Sequence, residues 1–201
     1  METFETTFLL MSSFGLGIVH AFEVDHLAAV SAFVATGPRP RDAALYGAKW
    51  ALGHGLSLLV FCLILFSFKL VLSDSFAHWM ERLVGIALVG VGGLTLIKAM
   101  GSQRLEGFKH QGPFWMGILH GVAGTAAFAG ASLVVFSSGL VAVAGYALAF
   151  GAGILTSTVL YAGVLGGILG TKNLAENALG RGTRTLMGLW SCAVGLIWIF
   201  R

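Results

Sequence analysis

Charge is what this chain has least of. Of its 201 residues only 10% are Asp, Glu, Lys or Arg, against 57% apolar. Soluble domains carry roughly 25% charged residues. So little polar surface excludes a soluble globule of this size. The mean hydropathy of +0.88 agrees. The reading is an all-α integral membrane protein, multi-pass, in the lipid bilayer of the cell (inner) membrane. Cysteine is nearly absent too. Cys62 and Cys192 lie far apart, each inside an apolar run. They read as small core residues, not as a disulfide or a redox pair. The start, "METFETTFLL", lacks a basic n-region, so a cleaved signal peptide is not expected. There is no nucleotide-binding motif, no H-x-x-x-H box and no basic patch interleaved with aromatics. The net charge of +3 therefore does not signal nucleic acid.

Glycine is abundant, 29 residues in all, about twice its usual share. In lipid, glycine lets helix backbones approach closely. A span needs about 20 apolar residues, and six such segments can be read. They cover about 8–35, 44–68, 76–99, 113–137, 140–169 and 183–200. Nine of the twelve basic residues fall in or beside the loops after spans one, three and five: Arg39, Arg41, Lys49, Lys98, Arg104, Lys109, Lys172, Arg181 and Arg184. The positive-inside rule puts those loops in the cytoplasm and both termini outside.

The chain also repeats. "FGLGIVHA" from Phe14 matches "FWMGILHG" from Phe114 at Phe, Gly, Ile and His. "LGHGLSLL" from Leu52 pairs with "FGAGILTS" from Phe150, and "RLVGIALVGVGGLTLI" from Arg82 with "TLMGLWSCAVGLIWI" from Thr185. Each half, about 8–99 and 113–200, thus holds three spans in matching order within a single domain, 1–201. Three spans per half make the repeat inverted, a common architecture of secondary transporters. Glycine-rich helices resemble one another by composition as well. Composition does not explain why the histidines align.

With Lys69, Asp74, Glu81 and Arg82 assigned to the loop after span two, the ionisable groups left to the apolar spans are few: His20, Glu23, Asp25, His26, His54 and His120. A carboxylate at mid-bilayer costs about 2.5–3.5 kcal/mol on insertion scales. Such a group is a functional-site candidate by default, and it needs a partner. Along a straight helix His20, Glu23 and His26 share one stripe of about 120°, with Asp25 on the other side. Either the helix is distorted there, or only some of these groups are ligands. Asp25 or Glu23 could then hold a ligand histidine from behind. Imidazoles converging from three spans suit a transition metal better than magnesium or calcium. For a single histidine such as His54 or His120, a hydrogen-bonded structural role weighs equally. His78 and His110 read as interfacial residues, and Trp79, Trp115, Trp190 and Trp198 as packing or belt residues. Hydroxyls near Ser138 and Thr156 are a weak hint of a polar path.

"HAFEVDHLAAV" resembles the first signature of the nickel/cobalt transporter family, H-A-x-D-A-D-H-I-A-A-I. His20, Ala21, Asp25, His26, Ala28 and Ala29 match, and Glu23 stands where the family has its first aspartate. "LGHGLSLLVF" resembles the second motif, L-G-H-S-T-V-V, at Leu52, Gly53 and His54. "GILHGVAGTAA" is similar to a G-x-x-H-G-x-A-G element of shorter six-span relatives associated with urease accessory genes. The resemblance implies that His20, Asp25, His26 and His54 serve metal recognition. The chain departs by lacking the eight-span length and the D-T-A-T-E-like element. The expectation is a secondary transporter of nickel or cobalt (Ni2+/Co2+), not an enzyme, with no prosthetic group and no nucleic-acid partner. A homo-oligomer stays open. The alternatives are another solute on the same scaffold, such as another metal or a sulfite-like anion, a membrane metalloenzyme, or an accessory subunit. An anion carrier would want basic residues at mid-span, where this chain has two carboxylates.

Overall fold

The computed structural model describes residues 2–36, 39–70, 72–101, 111–131, 139–171 and 178–201. These form seven helices and no strands. They are α1 (Glu2–His20), α2 (Val24–Ala35), α3 (Pro40–Phe68), α4 (Asp74–Ala99), α5 (Gly112–Ala131), α6 (Leu140–Leu169) and α7 (Ala178–Phe200). Arg104, Glu106, Lys109, His110, Ser138, Lys172 and Glu176 lie outside the described residues.

Four helices, α3, α4, α6 and α7, are long and apolar enough to cross a membrane. The pair α1 and α2, bent by 62°, passes the same test when taken together, which gives four to five candidate spans among the described residues. The segment expected as the first span is therefore broken inside "HAFEVDH". Phe22 N–H bonds Val19 O and Glu23 N–H bonds His20 O, both at 3.0 Å, so the chain turns tightly over three residues. Glu23 is extended and caps the start of α2. The ends of the other helices follow ordinary rules. Pro40 opens α3, where its missing N–H costs nothing. Ser73 Oγ accepts the Phe76 N–H to start α4.

The helices pack mainly in four pairs: α3 with α6, α4 with α7, α3 with α5, and α1 with α6. Contacts recur one hundred residues apart. A Cβ on Gly17 of α1 would strike the Phe150 carbonyl oxygen of α6, and a Cβ on Gly117 of α5 would strike the Trp50 carbonyl oxygen of α3. Gly53 meets Phe114 O and Gly153 meets Phe14 O in the same reciprocal way. The buried positions agree. Ala43, Gly47, Trp50, Gly53, His54 and Ser57 of α3 answer to Val143, Ala147, Phe150, Gly153, Ile154 and Ser157 of α6. Packing thus pairs Gly53 with Gly153. The two segments compared in sequence start at Leu52 and Phe150, which set Gly53 beside Gly151. The register is corrected by two residues, and His54 acquires Ile154 as its counterpart.

Polar side chains tie α2 to its neighbours. Ser31 Oγ and Tyr161 Oη are 2.6 Å apart. Thr95 Oγ1 donates to Ala32 O at 3.1 Å, and Lys98 Nζ donates to Thr36 O. Burying such groups is tolerated because each finds a partner. Helix crossings this close make a clear prediction. Gly17→Ala should destabilise by about 1–3 kcal/mol, as overpacking does. Gly15→Ala should change little, since a Cβ there meets nothing within 4 Å. Melting of the purified protein in detergent checks this. Equal melting of the two variants would contradict the packing described.

Candidate metal centre

Four helices bring the polar groups together. His20 is the last residue of α1 and Asp25 and His26 lie in the first turn of α2. His54 lies midway along α3 and His120 on α5. The break at residues 21–23 is what makes this work. It frees the His20 carbonyl, which accepts from His26 Nδ1 at 2.9 Å. It also lets Asp25 turn to the same side as His26. The straight-helix stripe, with Asp25 facing away, does not survive the bend.

The six predicted residues form one cluster. His26, His54 and His120 are almost wholly buried, at 2%, 0% and 1% exposed. Ring centroids of His20 and His26 lie 4.6 Å apart, His26 and His54 5.1 Å, and His26 and His120 5.4 Å. One ring nitrogen from each of His20, His26 and His54 falls within 4.8 Å of the others. Asp25 Oδ2 is 4.0 Å from His26 Nε2 and 3.9 Å from His120 Nε2. Glu23 is the most exposed of the six, its side chain 54% accessible, and its Oε1 lies 2.7 Å from His20 Nδ1.

The hydrogen bonds assign the free nitrogens. A backbone carbonyl only accepts, so His26 Nδ1–H donates to His20 O and His120 Nδ1–H donates to Met116 O at 2.9 Å. An ionised carboxylate only accepts as well, so His20 Nδ1–H donates to Glu23. In each neutral ring Nε2 then carries a lone pair. Nε2 of His20 and of His120, and both ring nitrogens of His54, are buried and have no hydrogen-bond partner among the described residues. Buried polar atoms are nearly always paired. Four converging imidazoles, three of them with unmatched nitrogens, are the reverse of what structural histidines show.

Residues that the sequence reading set aside complete the surroundings. Trp50 stands 4.9 Å from His26 and 5.1 Å from His54, ring to ring, and Phe150 stands 5.1 Å from His20. These equivalent aromatics wall the cluster from both sides. A Cβ on Gly124 would come 3.7 Å from His20 Nε2, so glycine keeps that side open. A cavity of about 100 Å³ adjoins the histidines, lined also by Glu23, Asp25, Glu81 and Trp198. Trp198 packs against the core, as expected, and also lines this cavity. Glu81 had a readable signal. It extends by one turn the buried stripe Val84, Gly85, Leu88, Val91 and Gly92 of α4. His78 is largely exposed, with Nδ1 3.4 Å from Glu81 Oε2. Thr156 turns back to its own helix at Ala152 O.

Comparison with known proteins gives one clear relative. The chain is 30% identical over 184 residues to urease accessory protein UreH of Bacillus sp. (strain TB-90), an alignment spanning 83% of this chain and 79% of that protein. The chain belongs to the UreH family. No family model matches it, and no solved structure matches it. The UreH alignment is long enough to take in most of the helical bundle and not merely one motif.

Proposed function

We propose that this membrane protein is a secondary transporter of a divalent transition-metal ion, nickel or cobalt, bound at mid-membrane by His20, His26, His54 and His120 with Asp25. The observation that carries the reading is the set of unpaired, inward-turned imidazole nitrogens. Imidazole donors suit nickel, cobalt, copper and zinc. The relative's name ties it to urease, a nickel enzyme, and the first motif resembles that of nickel/cobalt transporters. Both favour nickel.

Each carboxylate has its own task. Glu23 orients His20 by accepting its Nδ1–H, the usual arrangement behind a metal-binding imidazole. Asp25 contacts the ion. Metal–nitrogen bonds of about 2.1 Å set tetrahedral ligands about 3.4 Å apart. The 3.9–4.0 Å gaps from Asp25 to His26 and His120 are only slightly wider. An ion drawing these atoms in would close them. Three carboxylates line the cavity and no Lys or Arg does, among the described residues. That lining suits a cation and opposes an anion carrier.

The membrane arrangement follows the same line. α5 adds a sixth span to the five crossings, and two three-span halves are related as an inverted repeat. The reciprocal contacts at Gly17 and Gly117 support that relation. Loop charge puts both termini outside. The ion enters from outside, gives up water to the histidines, and leaves inward as one half rocks against the other.

A test is metal retention by the purified protein. It should hold near-stoichiometric nickel or cobalt after dialysis at neutral pH. Protons compete for the same Nε2 lone pairs, so binding weakens as pH falls. Once the imidazoles begin to take up protons, affinity should drop about tenfold per pH unit for every histidine that must lose one. Titration at a series of pH values checks the slope. A protein that retains no metal, or binds it equally at acid pH, would contradict the proposal.

A further inference from the structure

We propose that Glu81, with Glu23, forms an outer docking station that holds a hydrated divalent cation before its water is exchanged for imidazole. This inference rests on the metal-transport reading and extends it to the route of entry. Glu81 lies two turns into α4 and lines the same cavity as Glu23, Asp25, His20, His26 and His120. Its side chain is 29% accessible and Glu23's is 54%, whereas Asp25's is 13% and His120's is 1%. The carboxylates therefore grade from accessible to buried along one cavity.

A second observation marks this cavity as a ligand route. His120 is buried, its Nε2 has no hydrogen-bond partner, and that atom lies 3.9 Å from the cavity-lining Asp25 Oδ2. Glu81 is supported from beside the cavity by His78, one helical turn away. Arg201 sits over the Trp198 ring, 5.0 Å from its centroid, and does not itself line the cavity.

The chemistry explains why two stations would serve. A divalent aqua ion is strongly hydrated and gives up its water reluctantly. Exposed carboxylates bind such an ion through its water, at little desolvation cost. Buried imidazoles bind the bare ion. Negative charge at a cleft mouth raises the local cation concentration and the rate of capture, and salt screens that effect. Glu81 would thus act on capture, with the deep site left intact.

The experiment is Glu81→Gln, reconstituted in proteoliposomes with nickel as the probe. KM should rise about three- to tenfold, with kcat within about twofold of wild type. The dependence of KM on ionic strength should flatten. Glu81→Asp should restore most of both. Elution of each variant as a single species on size exclusion controls for folding. A wild type that neither binds nor transports nickel or cobalt overturns the metal reading, and this inference with it. A wild type that transports nickel, with Glu81→Gln matching its KM and salt dependence, overturns this inference alone. So does a Glu81→Gln protein that loses nickel at equilibrium, since Glu81 would then be a ligand of the deep site.

Discussion

Replacing His26 by alanine should abolish metal retention and transport at micromolar nickel. His26 is at the centre of the cluster. Its ring lies within 5.4 Å of those of His20, His54 and His120, centroid to centroid, and its Nε2 is 4.0 Å from Asp25 Oδ2. Loss of a group that merely orients a ligand costs about 10–100-fold in metal affinity, and loss of the ligand itself costs at least as much. A fall on the order of 100-fold or more is expected. The fold should tolerate the change, because among the described residues His26 makes one side-chain hydrogen bond, to the His20 carbonyl, which still accepts from Glu23 N–H. Isothermal titration with nickel measures the affinity, and melting in detergent separates binding from folding. A His26→Ala protein with unchanged transport would remove the assignment.

The second large effect divides the two carboxylates. Asp25→Asn should cost about as much as a ligand, on the order of 100-fold in nickel affinity, and Glu23→Gln nearer to 10-fold. The reason is position. Asp25 is mostly buried and lies about 4 Å from Nε2 of both His26 and His120. Glu23 is half-exposed and touches His20 on the nitrogen that does not face the cluster. Removing Asp25's charge also leaves a divalent ion less well neutralised in a low-dielectric site. Glutamine at position 23 still accepts from His20 Nδ1–H through its amide oxygen, which softens that loss. The reverse order, with Glu23→Gln the more damaging, would exchange the two roles. Parallel nickel titrations of the two purified variants decide between them.

These predictions draw unequally on sequence and structure. The six candidate residues that cluster were legible because each is an ionisable group inside an apolar run, where its cost demands a reason. His20 and His120 were legible as partners because the segments around Phe14 and Phe114 match. The role of Asp25 was not legible. Helical periodicity turned it away from His20 and His26, and no composition signal announced a 62° break at residues 21–23. Trp50 and Phe150 were hidden for another reason. An aromatic in an apolar span looks like lipid-facing or core bulk until its neighbours are known. Glu81 was misjudged because Arg82 and Asp74 lie close to it in sequence, which made the whole segment look like loop charge.

The sequence by itself determined the solvent this protein lives in, the helical class, and the short roster of groups with chemistry. Those follow from transfer energies and residue counts, which act position by position. Only the tertiary structure decided which nitrogens stay unpaired, which carboxylate faces them and where the cavity opens. Those depend on glycine-to-carbonyl contacts between helices distant in sequence, and on one broken helix that frees a carbonyl for His26. No local pattern encodes a convergence of that kind, because it exists only once α1, α2, α3 and α5 are packed.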